Sequence, residues 1–194
     1  MNAWLYVLAA ALIQNFVLTT GFGSSLSVRL SRRPSALLAF GGLLTVFSVA
    51  CVLVVYPLDA AIGTGPMAKL LRPLVIVAVV SVLYAVFYGV LKLIRHPVAA
   101  QVRKMLPTAA FNNLTVGVLL IVNHQFALPL GSAVALSVGA AVGFTVLSQL
   151  IGYLRTRLDH PSIPVAFRGL PILLVSLGLV ALGLMGFSSS LALI

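Results

Sequence analysis

The residues best placed to do chemistry in this chain are side-chain amides set inside apolar runs. Gln14 and Asn15 lie within Leu12–Ser25, a stretch that ends in Gly21, Phe22, Gly23, Ser24 and Ser25. Asn112 and Asn113 lie within Ala110–Val118, with Gly117 following shortly after. Hydrocarbon cannot solvate an amide or a freed backbone group. Such positions are tolerated only where neighbouring helices or a lined cavity satisfy them. Two of them, one in each half of the chain, predict a paired site. Two roles are open for the amides: lining an ion or electron path, or bonding across helices as polar glue.

The other reactive side chains offer less. Asp59 and Asp159 are the only acids, and both read as loop residues, so no carboxylate is expected within a span to carry a proton or a sodium ion. His96, His124 and His160 also read as loop residues and are far apart, which argues against a metal site. Cys51 is the single cysteine, so the chain has no internal disulfide. Placed midway along an apolar segment, Cys51 reads as a small buried hydrophobe. Arg168 stands at the start of the last apolar segment, as an interfacial anchor or a contact to a partner subunit. There is no phosphate-cradling glycine loop and no nucleophile with a base, so catalysis by this chain alone is not expected.

The elements that must position these residues follow from composition. The 194 residues are 61% hydrophobic and 7% charged, with a mean hydropathy of +1.20. A soluble domain is about one-quarter charged, so this is an integral membrane protein. A helix crosses the hydrocarbon in about 20 residues, and six apolar segments of that order can be marked: Trp4–Thr20, Ala36–Tyr56, Pro73–Leu91, Leu106–Val122, Pro129–Leu154, and Leu170 to the C-terminus. The first and fourth are the shortest and carry the amides. Short or interrupted spans at corresponding positions of two halves mark the binding site in inverted-repeat membrane proteins. Gly41 and Gly42, Gly131, Gly139 and Gly143, and Gly178, Gly183 and Gly186 would let helices approach closely. The first apolar run lacks a basic start and a small-residue cleavage site, and reads as a mature helix.

Charge sets the expected orientation. The net charge is +10. Because it is spread over short loops, it marks the basic face of a membrane protein and not a nucleic-acid surface. Arg29, Arg32, Arg33, Lys92, Arg95, Arg103, Lys104, Arg155, Arg157 and Arg168 fall after the odd-numbered segments, against only Lys69 and Arg72 on the other side. The odd-numbered loops are then cytoplasmic and both termini lie outside. Each half has three spans, so the second enters the membrane from the side opposite to the first. The expected fold is all-α, with six transmembrane helices as a 3+3 inverted repeat over residues 1–98 and 99–194 and with short or interrupted helices one and four.

Several stretches carry a family resemblance. Gln14–Leu18 followed by Gly23, Asn112 with Gly117-Val118, Ala140–Phe144, Arg155–Leu158, Pro164–Gly169 and Leu184–Ser188 resemble the Rnf/Nqr membrane subunits, most closely the RnfA branch. The likeness runs over nearly the whole chain. It implies a multi-pass protein of a bacterial inner membrane that pairs with a sister subunit of opposite orientation. The partners would include flavin- and iron-sulfur-bearing subunits of an electron transport complex linking ferredoxin or NAD to export of sodium ions or protons. The resemblance further implies one [2Fe-2S] cluster shared by the two sister subunits, each giving cysteines from its broken first and fourth helices.

The chain departs from that pattern at the ligands. Ser25 and Asn113 stand where the family has cysteine. Protein clusters are held by thiolates, with imidazole an occasional replacement. A serine hydroxyl is a hard, poorly ionised donor and an amide is weaker still. The expectation is that this chain by itself holds no cofactor. Three functions follow: a subunit of an Rnf-like redox-driven ion pump, a redox-silent scaffold paralogue in such a complex, or, independently of the family, the substrate-binding subunit of a small-molecule importer.

Overall fold

The computed structural model describes residues 24–31, 34–63, 66–94, 96–124, 129–158 and 164–191. These form helices α1 (Ser24–Leu30), α2 (Pro34–Ile62), α3 (Pro66–Leu93), α4 (Pro97–Ala110), α5 (Asn113–His124), α6 (Leu130–Leu158) and α7 (Leu170–Leu191), with a 3-10 turn at Val165–Phe167 before α7. Proline opens α2, α3 and α4, where its missing N–H costs nothing because the first helical donors have no partner inside the helix. His96 caps α4, its Nδ1 accepting from the Val98 N–H at 3.3 Å. Gly63 follows α2 directly with φ +73°, a left-handed conformation in which glycine has no Cβ penalty.

Among the described residues, three helices are long and apolar enough to cross a membrane: Ala36–Ile62, Leu70–Leu93 and Leu130–Leu158. A fourth candidate span is the pair Pro97–Ala110 and Asn113–Ile121, bent by 53° at its break. Leu170–Gly186 is a shorter apolar helix. The fourth apolar segment is therefore interrupted as expected, but it starts well before Leu106. Arg103 and Lys104 belong to α4 and not to a preceding loop, because the buried face of Ala99, Leu106, Ala109 and Ala110 continues the helix backwards to Pro97. The first apolar segment lies outside the described residues.

Helices α2 and α6 form the centre. Leu37, Phe40, Leu44, Phe47, Cys51, Phe144, Leu147 and Ile151 belong to one buried cluster. Phe40 meets Phe144 with ring centroids 5.7 Å apart, and Phe47 meets Phe87 of α3 edge-on at 5.5 Å. Cys51 is fully buried, the expected small core residue. Lipid tails are as apolar as leucine, so packing of small residues must drive association. Accordingly α6 buries Ser132, Ala133, Ser137, Gly139, Ala140, Ala141, Gly143 and Ser148.

The glycines divide sharply. A Cβ at Gly41 would run into the side chain of Thr145, so this glycine sets the α2–α6 approach. Gly139 and Gly143 are buried too. Among the described residues, nothing stands within 4 Å of where a Cβ would be at Gly42, Gly131, Gly178, Gly183 or Gly186, so these five do not set a close helix approach there. A glycine that pattern alone did not single out, Gly152, has the Ser31 carbonyl oxygen 3.0 Å from where its Cβ would stand. Composition shows that small residues are present; only the facing helix decides which are used.

Asp59 also corrects the sequence reading. It lies in the last turn of α2, inside a candidate span and not in a loop, and Arg72 Nε of α3 donates to its Oδ1 at 2.6 Å. Arg72 Nη2 also donates to the Gly63 carbonyl at 3.1 Å. The pair is about four-fifths buried, with side-chain exposures of 17% and 20%. Its partner is what lets an acid persist within an apolar helix. His124 is likewise the last residue of α5 and not a loop residue. At the opposite end of α2, Arg155 Nη1 of α6 donates to the Val28 carbonyl of α1 at 3.3 Å, placing a cation on the helix C-terminus.

The α2–α6 contact gives a direct test. Gly41→Ala should destabilise the protein by about 1–3 kcal/mol, the usual effect of overpacking a stiff contact. Thermal melting in detergent should show the loss, and adding Thr145→Ala should recover most of it. An unchanged melting temperature in the single variant would refute the close approach.

Candidate functional site

The break between α4 and α5 is the most distinctive polar feature inside the apolar body. Helix α4 closes with the Phe111 N–H bonded to the Pro107 carbonyl at 3.0 Å, and Phe111 leaves helical geometry at φ −95° and ψ 32°. Asn112 then starts α5. Its side-chain Oδ1 accepts from the Leu114 N–H at 3.3 Å and its carbonyl from the Val116 N–H at 3.2 Å. An asparagine is suited to this N-cap position because its side-chain oxygen takes up one of the donors that open a helix. Thr115 Oγ1 spans the break and donates to the Ala109 carbonyl at 2.8 Å. The sequence reading missed Thr115, and the one available signal was a hydroxyl three residues beyond the amide.

Asn112 is buried, with 8% of its surface exposed, and its Nδ2 has no hydrogen-bond partner among the described residues. It borders a cavity of about 460 Å³ together with Asn113, Phe111 and Thr108, and with Leu26 and Arg29 of α1. Helix α1 is the segment that continues the first amide stretch, so the second stretch and the chain just beyond the first share one cavity. Donors around it include the Arg29 guanidinium, the Asn112 amide and the N-terminal end of α5, which carries the positive end of the helix dipole, beside the Thr108 hydroxyl and the Asn113 amide. Tyr84 of α3 packs on Phe111 at 5.3 Å and on Tyr88 at 5.9 Å, and Arg103 lies 5.9 Å over the Tyr88 ring. This aromatic row steadies the outer side of the break, and apolar periodicity gave no hint of it.

The expected site residues distribute as follows. Asn112 and Asn113 both line the cavity, Asn112 buried and Asn113 exposed at the first position of α5. Gly117 is buried one turn further on, inside α5 and not at the break. Ser25 belongs to α1, directly before the cavity-lining Leu26. Gln14, Asn15, Gly21 and Gly23 lie outside the described residues. Arg168 is exposed in the turn before α7 and does not border this cavity. Among the described residues, no group of three or more His, Cys, Asp or Glu side chains is assembled.

Comparison with known proteins places this architecture. Residues 3–191 match the family model described as "Rnf-Nqr subunit, membrane protein". The chain belongs to the Rnf-Nqr membrane subunit family. Within the family, it is 31% identical over 192 residues to the A component of the ion-translocating oxidoreductase complex of Rhodobacter capsulatus, covering 95% of each chain. The protein of the same name from Glaesserella parasuis is 29% identical over 188 residues, again 95% of each. That of Syntrophotalea carbinolica is 28% identical over 187 residues, 96% of each. An Rnf-Nqr subunit is a membrane protein, in agreement with the candidate spans above.

The geometry of the break makes a prediction. Asn112→Ala removes the cap and should destabilise the protein by about 0.5–2 kcal/mol, while Asn112→Ser, which keeps an oxygen for the α5 donors, should lose less. Hydrogen exchange at Leu114 and Val116 reports it: faster exchange is expected in Asn112→Ala, and equal protection in both variants would contradict the capping role.

Proposed function

We propose that the chain is the A component of an ion-translocating oxidoreductase complex of the Rnf type and acts through its partner subunits. The observation that carries this is the match along the full length to proteins of that name, at 28–31% identity over 95–96% of each chain. The break with its buried amide supports it, since a broken helix inside the membrane is the place where such a protein meets what it carries. Family membership over residues 3–191 speaks against the importer reading.

The finer architecture is part of the proposal. The first apolar segment completes a set of six spans, a 3+3 inverted repeat over residues 1–98 and 99–194, with both termini outside the cytoplasm of a bacterial inner membrane. Two features support this orientation: Arg29 and Arg155 gather at one end of α2, and Arg72, one of the two cations near the other end, is neutralised by Asp59. A sister subunit of opposite orientation would face the break. Arg168, exposed before α7, is a candidate contact to a neighbouring subunit. Sodium ions or protons would be the coupled ion and ferredoxin or NAD the electron source.

The [2Fe-2S] cluster expected from the family does not fit the residues present. The polar side chains around the cavity are a guanidinium, a hydroxyl and two amides, none of them a thiolate or imidazole of the kind that holds a cluster. Ser25 and Asn113 replace the thiolates, and Cys51 is sealed in the α2–α6 core. The chain therefore contributes no cluster ligand. It retains the partner-facing scaffold, and any electron transfer in the complex runs on groups that its partners hold.

Metal analysis of the purified complex tests this. Ser25→Ala and Asn113→Ala should leave its iron content and its iron-sulfur spectrum unchanged, while Ser25→Cys with Asn113→Cys should add a two-iron signal. A signal lost in either alanine variant would overturn the assignment.

A further inference from the structure

A second cavity, of about 390 Å³, opens between α1, α2 and α4 next to the one at the break, and the two share Leu26, Arg29 and Thr108. Two cations border it, Arg29 from α1 and Lys104 from α4, both exposed. The rest of its wall is largely apolar: Leu30, Met105 and, innermost, Phe40, which is 1% exposed. Asp59 is the one acid among the described residues, and it is bound to Arg72 at the far end of α2. No described carboxylate therefore balances Arg29 and Lys104. Cations beside an apolar wall at the end of a membrane helix call for an amphiphilic anion.

We propose that this cavity binds an anionic phospholipid, with the phosphodiester held between Arg29 and Lys104 and an acyl chain laid along Leu30, Phe40 and Met105. A free phosphate would satisfy the two cations but leave the apolar wall uncovered. A zwitterionic lipid would cover the wall but bring its own cation to a site that already has two. The bound lipid fills the gap between α1 and α4, the two elements that border the cavity at the break. It thereby supports the broken helix from its basic side.

The test uses the full chain, alone or in its complex, purified and exposed to equal amounts of phosphatidylglycerol and phosphatidylcholine, with bound lipid read by native mass spectrometry. Phosphatidylglycerol should be retained in preference. A juxtamembrane cation is worth roughly fivefold in affinity, so Arg29→Gln with Lys104→Gln should weaken retention about 25-fold. Arg29→Lys with Lys104→Arg should keep it. Arg157→Gln, whose cation lies over the Tyr153 ring and outside the cavity, should leave it unchanged. Equal retention of the two lipids by the unmodified chain would overturn the proposal whether or not any variant folds. So would an equal loss in Arg157→Gln, which would mean general surface charge, or displacement of the lipid by inorganic phosphate, which would mean a free-anion site.

Discussion

Everything in this structure turns on one constraint: a backbone interrupted inside an apolar body must find partners for the groups it frees. The interruption lies between Ala110 and Asn113, and three short side-chain and backbone bonds repair it. Phe111 closes α4 onto Pro107, Asn112 takes the Leu114 donor, and Thr115 reaches back across the gap to Ala109. In water these bonds would compete with solvent on nearly equal terms. In hydrocarbon the alternative is an unsatisfied group, so the same bonds fix a 53° bend in place. The Asn112 Nδ2 left over is the one donor of the repair that the described chain does not use.

The surroundings serve that break. Helices α2 and α6 approach closely because Gly41 accepts the Thr145 side chain against its backbone, and because α6 is rich in buried alanine, glycine and serine. Their core holds the large rings of Phe40, Phe47 and Phe144. Charge is kept to the two ends. At one end Arg155 ties α6 to the C-terminal turn of α1, and at the other Arg72 pins Asp59 and the Gly63 carbonyl. The buried amide of Asn112 stands where α1 and the α4–α5 junction share a cavity.

Much of this was legible in the sequence. Composition alone required a membrane protein, because no fold can keep so apolar a chain in water. The interruption of the fourth apolar segment could be placed at Asn112 because an amide between apolar residues has a meaning in lipid that it lacks in a soluble helix. The burial of Cys51 followed from its position midway along an apolar run.

Other features required facing surfaces, which a single chain pattern does not contain. Asp59 reads as a loop acid because the apolar run ends at Tyr56. The helix continues past it because Arg72, on another helix, neutralises the charge. Arg103 and Lys104 read as loop cations because the apolar run begins only at Leu106, yet one buried face of α4 carries the helix back to Pro97. Of the glycines marked for close packing, five have no close neighbour among the described residues, while Gly152 packs on Ser31 without any sequence signal. The sequence by itself determined the solvent this protein lives in, the place where its fourth segment breaks and the absence of thiols there, because each depends on residue type alone. Which small residues touch, which charges pair and which helix shares a cavity with the break were decided only by the tertiary structure, because each depends on what lies opposite.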